Sequence, residues 1–422
     1  MLSNLLNFLD EAKTKFEAIR ITKDILIKNG FVEVKEADSY KGYNKFFIIR
    51  NNSSIIAISK PNKIDDLSIN IISTHTDSPS FKINENSNIE VCGINELQTE
   101  AYGGAIYSTW FDRPLSIGGR VFIKDENRIS QRLIAFNKNI CTIPNLCIHF
   151  SRDINNGHEY TLDEMKPILG YNNIYDALDK EFNIKRDDIL SFELELYNNE
   201  HPTYVGLNDE FYMASRIDNL ASHFTALNAF LESNDDTFKV FSSFDNEEVG
   251  SSSMQGAGSL FLRDTLKRIF IENGYSEIDF NKSLSNSILI SADNAHAINP
   301  NYMDKYNSLN AVYLNKGFVI KESPNLKYTT DGLSKALIVD LCKKNNIKYQ
   351  QFRNKPGTPG GSTLGNILQK SLSIQMVDIG LPQYAMHSSY ETAGSYDILD
   401  YYNIMKEFFN INLKIDNENI IY

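Results

Sequence analysis

Cysteine is scarce in this chain. The 422 residues hold 4, at Cys92, Cys141, Cys147 and Cys342, and no two of them form a CxxC pair. That argues against a thiolate-ligated zinc site and fits the reduced thiols of a cytoplasmic protein. Basic runs are also missing. Asp and Glu number 54 against 42 Lys and Arg, for a net charge of −12, so nucleic acid is not an expected partner. No stretch approaches the ~18–20 apolar residues that a membrane span requires. The opening Met1-Leu2-Ser3-Asn4 lacks a basic start and meets Asp10 and Glu11 before any long apolar run, which is not the pattern of a signal peptide. There is no internal repeat and no low-complexity segment.

What is present suits a folded enzyme-sized protein. A hydrophobic fraction of 42% over 422 residues exceeds what one compact core needs, so two domains are expected. Apolar residues at Leu2, Leu5, Leu9, Ala12, Phe16 and Ile19 alternate steps of three and four, which predicts one amphipathic helix running to Asn29-Gly30. The runs at 45–49 and 54–58 read as a hairpin, and 67–73 reads as a further strand. From about residue 80 to 205 short alternating runs such as Gly119–Ile123 and Arg132–Phe136 dominate, with a helical pattern only over Leu162 to Leu178. After residue 210 helices and strands alternate again: helices over 215–231, 258–270, 331–342 and 397–409, strands over 238–244, 287–291, 347–352 and 373–379. Such alternation predicts an α/β fold, a doubly wound and mostly parallel sheet, with a β-rich domain inserted. The boundaries fall at 1–79 plus 206–422 for the first domain and 80–205 for the insertion.

Four of these strands end alike, in an apolar run followed by ligand-type side chains. Ile71-Ile72-Ser73-Thr74 leads to His75 and Asp77; Val240 to Phe244 leads to Asp245, Glu247 and Glu248. Ile288 to Ala292 leads to Asp293 and His296, and Met376 to Gly380 leads one loop later to His387. Asp218 opens the helix that follows Ser215-Arg216-Ile217. Ligands bind at the carboxyl ends of strands in open α/β sheets, so parallel neighbours would bring these side chains to one rim. Imidazoles and carboxylates without thiolate suit zinc, cobalt or manganese. Two histidines with several carboxylates exceed the needs of one zinc and suit two ions sharing a carboxylate, about 3.5–4 Å apart. Of the adjacent Glu247 and Glu248, one can hold a metal while the other handles a proton of water. Each residue alone has an ordinary explanation, such as Asp218 at a helix N-terminus capped by Ser215. Four strand ends together do not.

These residues resemble the aspartyl aminopeptidases, a family of dinuclear metallopeptidases. The matching blocks are His75-Thr76-Asp77-Ser78-Pro79, Trp110-Phe111-Asp112-Arg113, Ser215 to Leu220, Asp245-Asn246-Glu247-Glu248-Val249-Gly250-Ser251, Ser291 to His296, Asn301-Tyr302 and Met386-His387-Ser388. They follow the family's order along nearly the whole chain. The resemblance implies that Asp218 bridges two metals, that His75 and Asp293 complete one site, and that Glu248 and His387 complete the other. Glu247 would be the general base, and Asp77 would orient the His75 ring. His149 matches a histidine of the inserted domain that reaches a neighbouring subunit's site. His296, Lys321, Gly361 and Ser362 match positions at the substrate pocket, where Lys321 would pair with an acidic side chain. The resemblance also implies a dodecamer enclosing the sites and acting on short peptides. Pro114 and the Pro/Gly-heavy 354–359 segment depart from the family pattern. The expected activity is removal of N-terminal acidic residues; a neutral or basic preference and a non-catalytic shell protein are the alternatives.

Overall fold

The computed structural model describes residues 1–64, 68–358, 360–416 and 419–422, and the backbone alone of Asn88. The expected strand start at Leu67 and the loop residue Pro359 lie outside the described residues. The N-terminal periodicity does form helix, but as two helices, Leu2–Glu11 and Lys15–Lys28, where the sequence suggested one. Thr14 is extended and its hydroxyl accepts the Phe16 N–H, capping the second helix.

A nine-stranded sheet forms the centre of the molecule. Its order is Val32–Glu33, Lys45–Arg50, Ser54–Ser59, Phe238–Phe244, Ile69–His75, Ile288–Ala292, Gln375–Gly380, Phe318–Lys321, Tyr349–Phe352. The four strands from Phe238 to Gly380 in that order are mutually parallel neighbours, with Phe244 level with His75 and Ala292 level with Ile379. The Lys45–Arg50 and Ser54–Ser59 hairpin extends the sheet antiparallel to Phe238–Phe244. Alternate residues of the strands enter different cores. Ile72, Phe241, Ile290 and Val377 pack with the helices Leu2–Glu11, Ile217–Glu232, Gly332–Asn345 and Asp397–Asn410. Ile71, Val240, Leu289 and Met376 pack with Phe261–Glu272, Glu277–Ser285 and Leu364–Leu372 on the other side. The period of two therefore fills both faces of one sheet, as a doubly wound fold requires.

The insertion is β-rich as expected. A six-stranded sheet orders Arg128–Ala135, Leu115–Asp125, Ile189–Asn198, Ser80–Val91, Ile94–Tyr102 and Ile168–Gly170, over an apolar core of its own that includes Trp110, Leu115, Ile117, Val121, Leu178 and Leu194. The helix expected from Leu162 to Leu178 is not there. The segment is a 3₁₀ turn (Leu162–Glu164), a strand (Ile168–Gly170) and a helix (Ile174–Phe182), because Pro167 lacks an N–H and Gly170 adopts φ 105°. A five-stranded sheet joins Thr203–Val205, Phe211–Ala214, Glu391–Gly394, Pro382–Tyr384 and Ala295–His296 beside the carboxyl ends of the central strands.

Candidate metal centre

His75 is the last residue of its strand and is 1% exposed. Its Nδ1 donates to the Asp77 backbone carbonyl at 3.0 Å and lies 3.5 Å from Asp77 Oδ1. That leaves Nε2 facing Asp218 Oδ1 at 3.6 Å and Asp293 Oδ1 at 3.9 Å. Asp293 is held level by its own N–H, which donates to the Ile379 carbonyl of the adjacent strand. On the other side of Asp218, Oδ2 lies 3.6 Å from His387 Nε2, and His387 Nε2 lies 3.4 Å from Glu248 Oε2. The Asp218 carboxylate thus presents one oxygen to each imidazole. His75, Asp218 and Asp293 form one group able to hold an ion; Asp218, Glu248 and His387 form a second; and His75, Glu247 and Glu248 form an overlapping third.

Three features test whether these side chains fit an ion. The separations of 3.4–3.9 Å are too long for good hydrogen bonds. They are close to the ~3.4 Å between two tetrahedral ligands that each sit about 2.1 Å from zinc. Asp218 is 3% exposed, and its Oδ1 is a buried oxygen without a hydrogen-bond partner. The charge balance is the third. Asp77, Asp218, Glu247, Glu248 and Asp293 face two imidazoles and the ammonium of Lys321. Burial pushes the Glu247 carboxyl up to about 8, against the pull of His75 and with the neighbouring Asp293, Asp77 and Asp218 charges adding to the rise. Burial and Asp218 push Glu248 well up as well. Burial opposes the charged form of His75, yet Asp218, Asp293 and Asp77 raise its pKa well above the ordinary value. The same contest, won by Asp218 and Glu248, brings His387 up to about 10. Carboxylates that retain protons themselves and keep both imidazoles protonated make a site with cationic charge still to be supplied.

The backbone sets these side chains with care. Glu247 and Glu248 sit on a single 3₁₀ turn after Asn246, whose φ of 66° reverses the chain at the end of its strand. Both of their N–H groups donate to Asp77, one to each carboxylate oxygen, at 3.1 Å. The helix expected from Ser215 runs Ile217–Glu232, but Asp218 and Asn219 are non-helical, so Asp218 is turned toward the histidines and away from the helix axis. Ser215 does not cap it; its hydroxyl donates to the Ser389 carbonyl. Glu391, unforeseen in the sequence, accepts the N–H of Asp218 at 3.0 Å and that of His387 at 2.8 Å. Asp245, expected on the same rim, pairs instead with Lys15 at 2.9 Å.

A cleft of about 440 Å³ opens over the cluster, with His296, Lys321, Tyr328, Phe352, Gly361 and Ser362 on its walls. Lys321 is 3% exposed, donates to the Asn294 carbonyl at 3.0 Å and stands 4.0 Å from Asp293 Oδ2. Asp378 accepts the Thr363 hydroxyl and the Thr329 N–H, tying the Gly361–Ser362 loop to the strand beside Lys321. His149 is not brought to this cleft. It lies exposed in the 148–150 turn of the insertion.

A doubly wound sheet whose parallel strands deliver two imidazoles and several carboxylates to one cleft is the architecture of a metal-dependent hydrolase. The chain belongs to the aminopeptidase I zinc metalloprotease family, M18, whose sequence model matches residues 8–409. It is 38% identical to a probable M18 family aminopeptidase 2 of Clostridium novyi, across 97% of this chain and 98% of that protein. A protein of the same description from Stutzerimonas stutzeri is 35% identical across 96% of this chain and 97% of its own length. Among solved structures, that of the Ape4 and Nbr1 complex superimposes with a TM-score of 0.93 at 32% identity, covering 97% of this chain and 85% of that one. The mApe1 dodecamer of S. cerevisiae shares the fold, with a TM-score of 0.85 at 24% identity, over 97% of this chain and 96% of that one. The protein is a metal-dependent aminopeptidase, which leaves the non-catalytic shell alternative without support. Among the described residues no helix is long and apolar enough to cross a membrane.

Proposed function

We propose that the enzyme removes acidic residues, Asp and Glu, from the N-termini of short peptides with two divalent ions, zinc before cobalt or manganese. The observation that carries the two-ion reading is the Asp218 carboxylate, one oxygen turned to His75 and the other to His387. In this reading His75 and Asp293 hold one ion, Glu248 and His387 the other, and Asp218 is shared. Bound zinc supplies Lewis acidity, polarising a carbonyl and acidifying water. Glu247 stands on the same rim, grouped with His75 and Glu248, where a carboxylate can take a proton from the attacking water and return it to the leaving amine. Asp77 keeps the His75 ring oriented and, through two N–H groups, fixes where Glu247 stands.

The acidic preference rests on Lys321. A buried ammonium at the wall of the cleft, with His296 beside it, favours a carboxylate over an apolar or basic side chain. Gly361 and Ser362 also line the cleft. The unit 80–205 is read as the part that builds a homo-oligomer, a dodecamer like that of the S. cerevisiae relative. Leu146, Ile148 and the 81% exposed Phe150 surround His149 with apolar surface, which suits a turn that meets a neighbouring subunit. A cytoplasmic location completes the reading. The test is release of Asp, Glu, Leu and Lys from aminoacyl substrates, with chelator and with zinc, cobalt or manganese restored. Metal-restored cleavage favouring Asp and Glu supports the whole reading; a preference for Leu or Lys removes the assignment of Lys321 and keeps the metal centre.

A further inference from the structure

The metal-site residues all belong to the doubly wound domain, yet three of them are touched from the insertion. The Ile94–Tyr102 strand pairs with Ser80–Val91 so that Tyr102 lies opposite Ser80, three residues beyond Asp77. Its hydroxyl donates to Asp77 Oδ2 at 2.7 Å and accepts from Asn246 Nδ2 at 2.9 Å. The ring is held between two ammonium groups, Lys15 Nζ at 4.8 Å and Lys82 Nζ at 4.7 Å from its centroid. Each is anchored in turn, Lys15 on Asp245 and Lys82 on Glu195.

The next two residues continue along the cluster. Gly103 has φ +71°, and a Cβ there would stand 3.1 Å from Glu248 Cβ and 3.5 Å from Pro79 Cα. Only a residue without a side chain sits there unstrained, against the back of Glu248. The Gly104 carbonyl accepts from His387 Nδ1 at 3.1 Å, and the Ile106 N–H donates to the His387 carbonyl at 3.1 Å. With Nδ1 protonated toward Gly104, the lone pair of Nε2 is turned toward Asp218 and Glu248. The contacts of Tyr102, Gly103 and Gly104 fall on Asp77, Glu248 and His387, and so act on the ligand set.

We propose that residues 102–104 of the insertion are the positioning element for both halves of the metal centre. Tyr102 fixes Asp77, and through it the His75 ring and the Glu247 turn; Gly104 fixes the tautomer and direction of His387. This rests on the reading of His75, Glu248 and His387 as ligands and Glu247 as base. It makes the insertion a working part of each subunit's own site, beyond any part it has in assembly.

The experiment uses the full-length zinc-loaded protein with Tyr102→Phe, Tyr102→Leu and Gly103→Ala. It reads kcat and KM on the best aminoacyl substrate, together with the rate at which zinc passes to a chromogenic chelator. Outer partners of metal ligands are worth about 10–100-fold in affinity or activity. Tyr102→Phe is expected to lower kcat by about that factor with KM within about threefold, and to speed zinc loss about tenfold. Tyr102→Leu is expected to match it, and Gly103→Ala to move both readouts the same way. Parent-like kcat and zinc loss in Tyr102→Phe overturn the proposal, as does a defect confined to Tyr102→Leu, which would mean that the ring only packs. A parent that holds zinc yet releases no residue overturns the proposed function instead, while the zinc-loss comparison still decides the role of Tyr102.

Discussion

Glu391 holds His387 by its backbone: Oε1 accepts the His387 N–H at 2.8 Å, while Oε2 accepts the N–H of Asp218 at 3.0 Å. One buried carboxylate therefore spaces two residues whose side chains face each other across the centre. An amide in its place has a single oxygen, so Glu391→Gln leaves one of the two N–H groups opposite an NH₂. The expected result is about a 10–100-fold weaker hold on zinc, measured by competition with a chelator of known affinity. Glu391→Ala removes the acceptor of three donors, the two N–H groups and the Gln383 amide, at about 1–3 kcal/mol for each left buried and unpaired, and is expected to lower the unfolding midpoint as well.

Glu247→Gln keeps the shape of the side chain and its N–H donation to Asp77 but removes the proton acceptor. Turnover is expected to fall by about 10²–10⁴-fold, with zinc content by elemental analysis equal to the parent's. Unchanged turnover would remove Glu247 from the chemistry.

Lys321→Met removes the buried ammonium while filling similar space. A charge-assisted hydrogen bond is worth about 1.5–3 kcal/mol, so kcat/KM on Asp substrates is expected to fall by about 10–100-fold relative to Leu substrates. Equal loss on both classes would assign Lys321 to Asp293, 4.0 Å away, and not to the substrate.

His223, buried behind the cluster of carboxylates and imidazoles, gives a pH dependence of stability. It is buried between the Thr22 hydroxyl at 2.7 Å and the Ser243 hydroxyl at 2.8 Å, and burial, aided by the His75 charge, holds its pKa down to about 3. The unfolded chain takes up this proton near pH 6.5 and the folded chain does not. Stability is therefore complete above 6.5 and falls as pH drops from 6.5 toward 3, by up to about 1.4 kcal/mol per unit. His223→Asn is expected to be less stable at pH 7 but to lose less between pH 7 and pH 5, measured by urea unfolding.

Removal of the metal is expected to abolish activity and lower the thermal midpoint together. An ion bound only by the folded state contributes about 2.7 kcal/mol at a hundredfold excess over its Kd. A chelator that stops turnover without moving the midpoint would argue against ions held by the buried cluster.

Most side chains of the candidate metal centre were legible because they follow an apolar strand, and parallel neighbours bring strand ends together. His75, Asp293 and the Glu247-Glu248 pair needed only that pattern. Asp218 was placed correctly on a helix start, though the local backbone that turns it inward leaves no trace in residue types. Glu391, Tyr102 and Gly104 were not legible. Glu391 works by accepting two backbone N–H groups, and Gly104 works through its carbonyl, which every residue has. Tyr102 meets Asp77, 25 positions away, only because its strand pairs back on Ser80. The error over Leu162–Leu178 came from reading apolar spacing through Pro167 and Gly170, both of which interrupt a helix.

The cluster draws on positions 75, 218, 248, 293 and 387, with Glu391 pinning the last of them. A chain emerging from the ribosome in that order carries one half of the centre long before the other, and lacks the second imidazole until most of its length has been made. Any product that stops short of His387, through premature termination or an early proteolytic cut, is left without a complete site. On the proposed ligand set, this order along the chain would keep peptidase activity from unfinished copies.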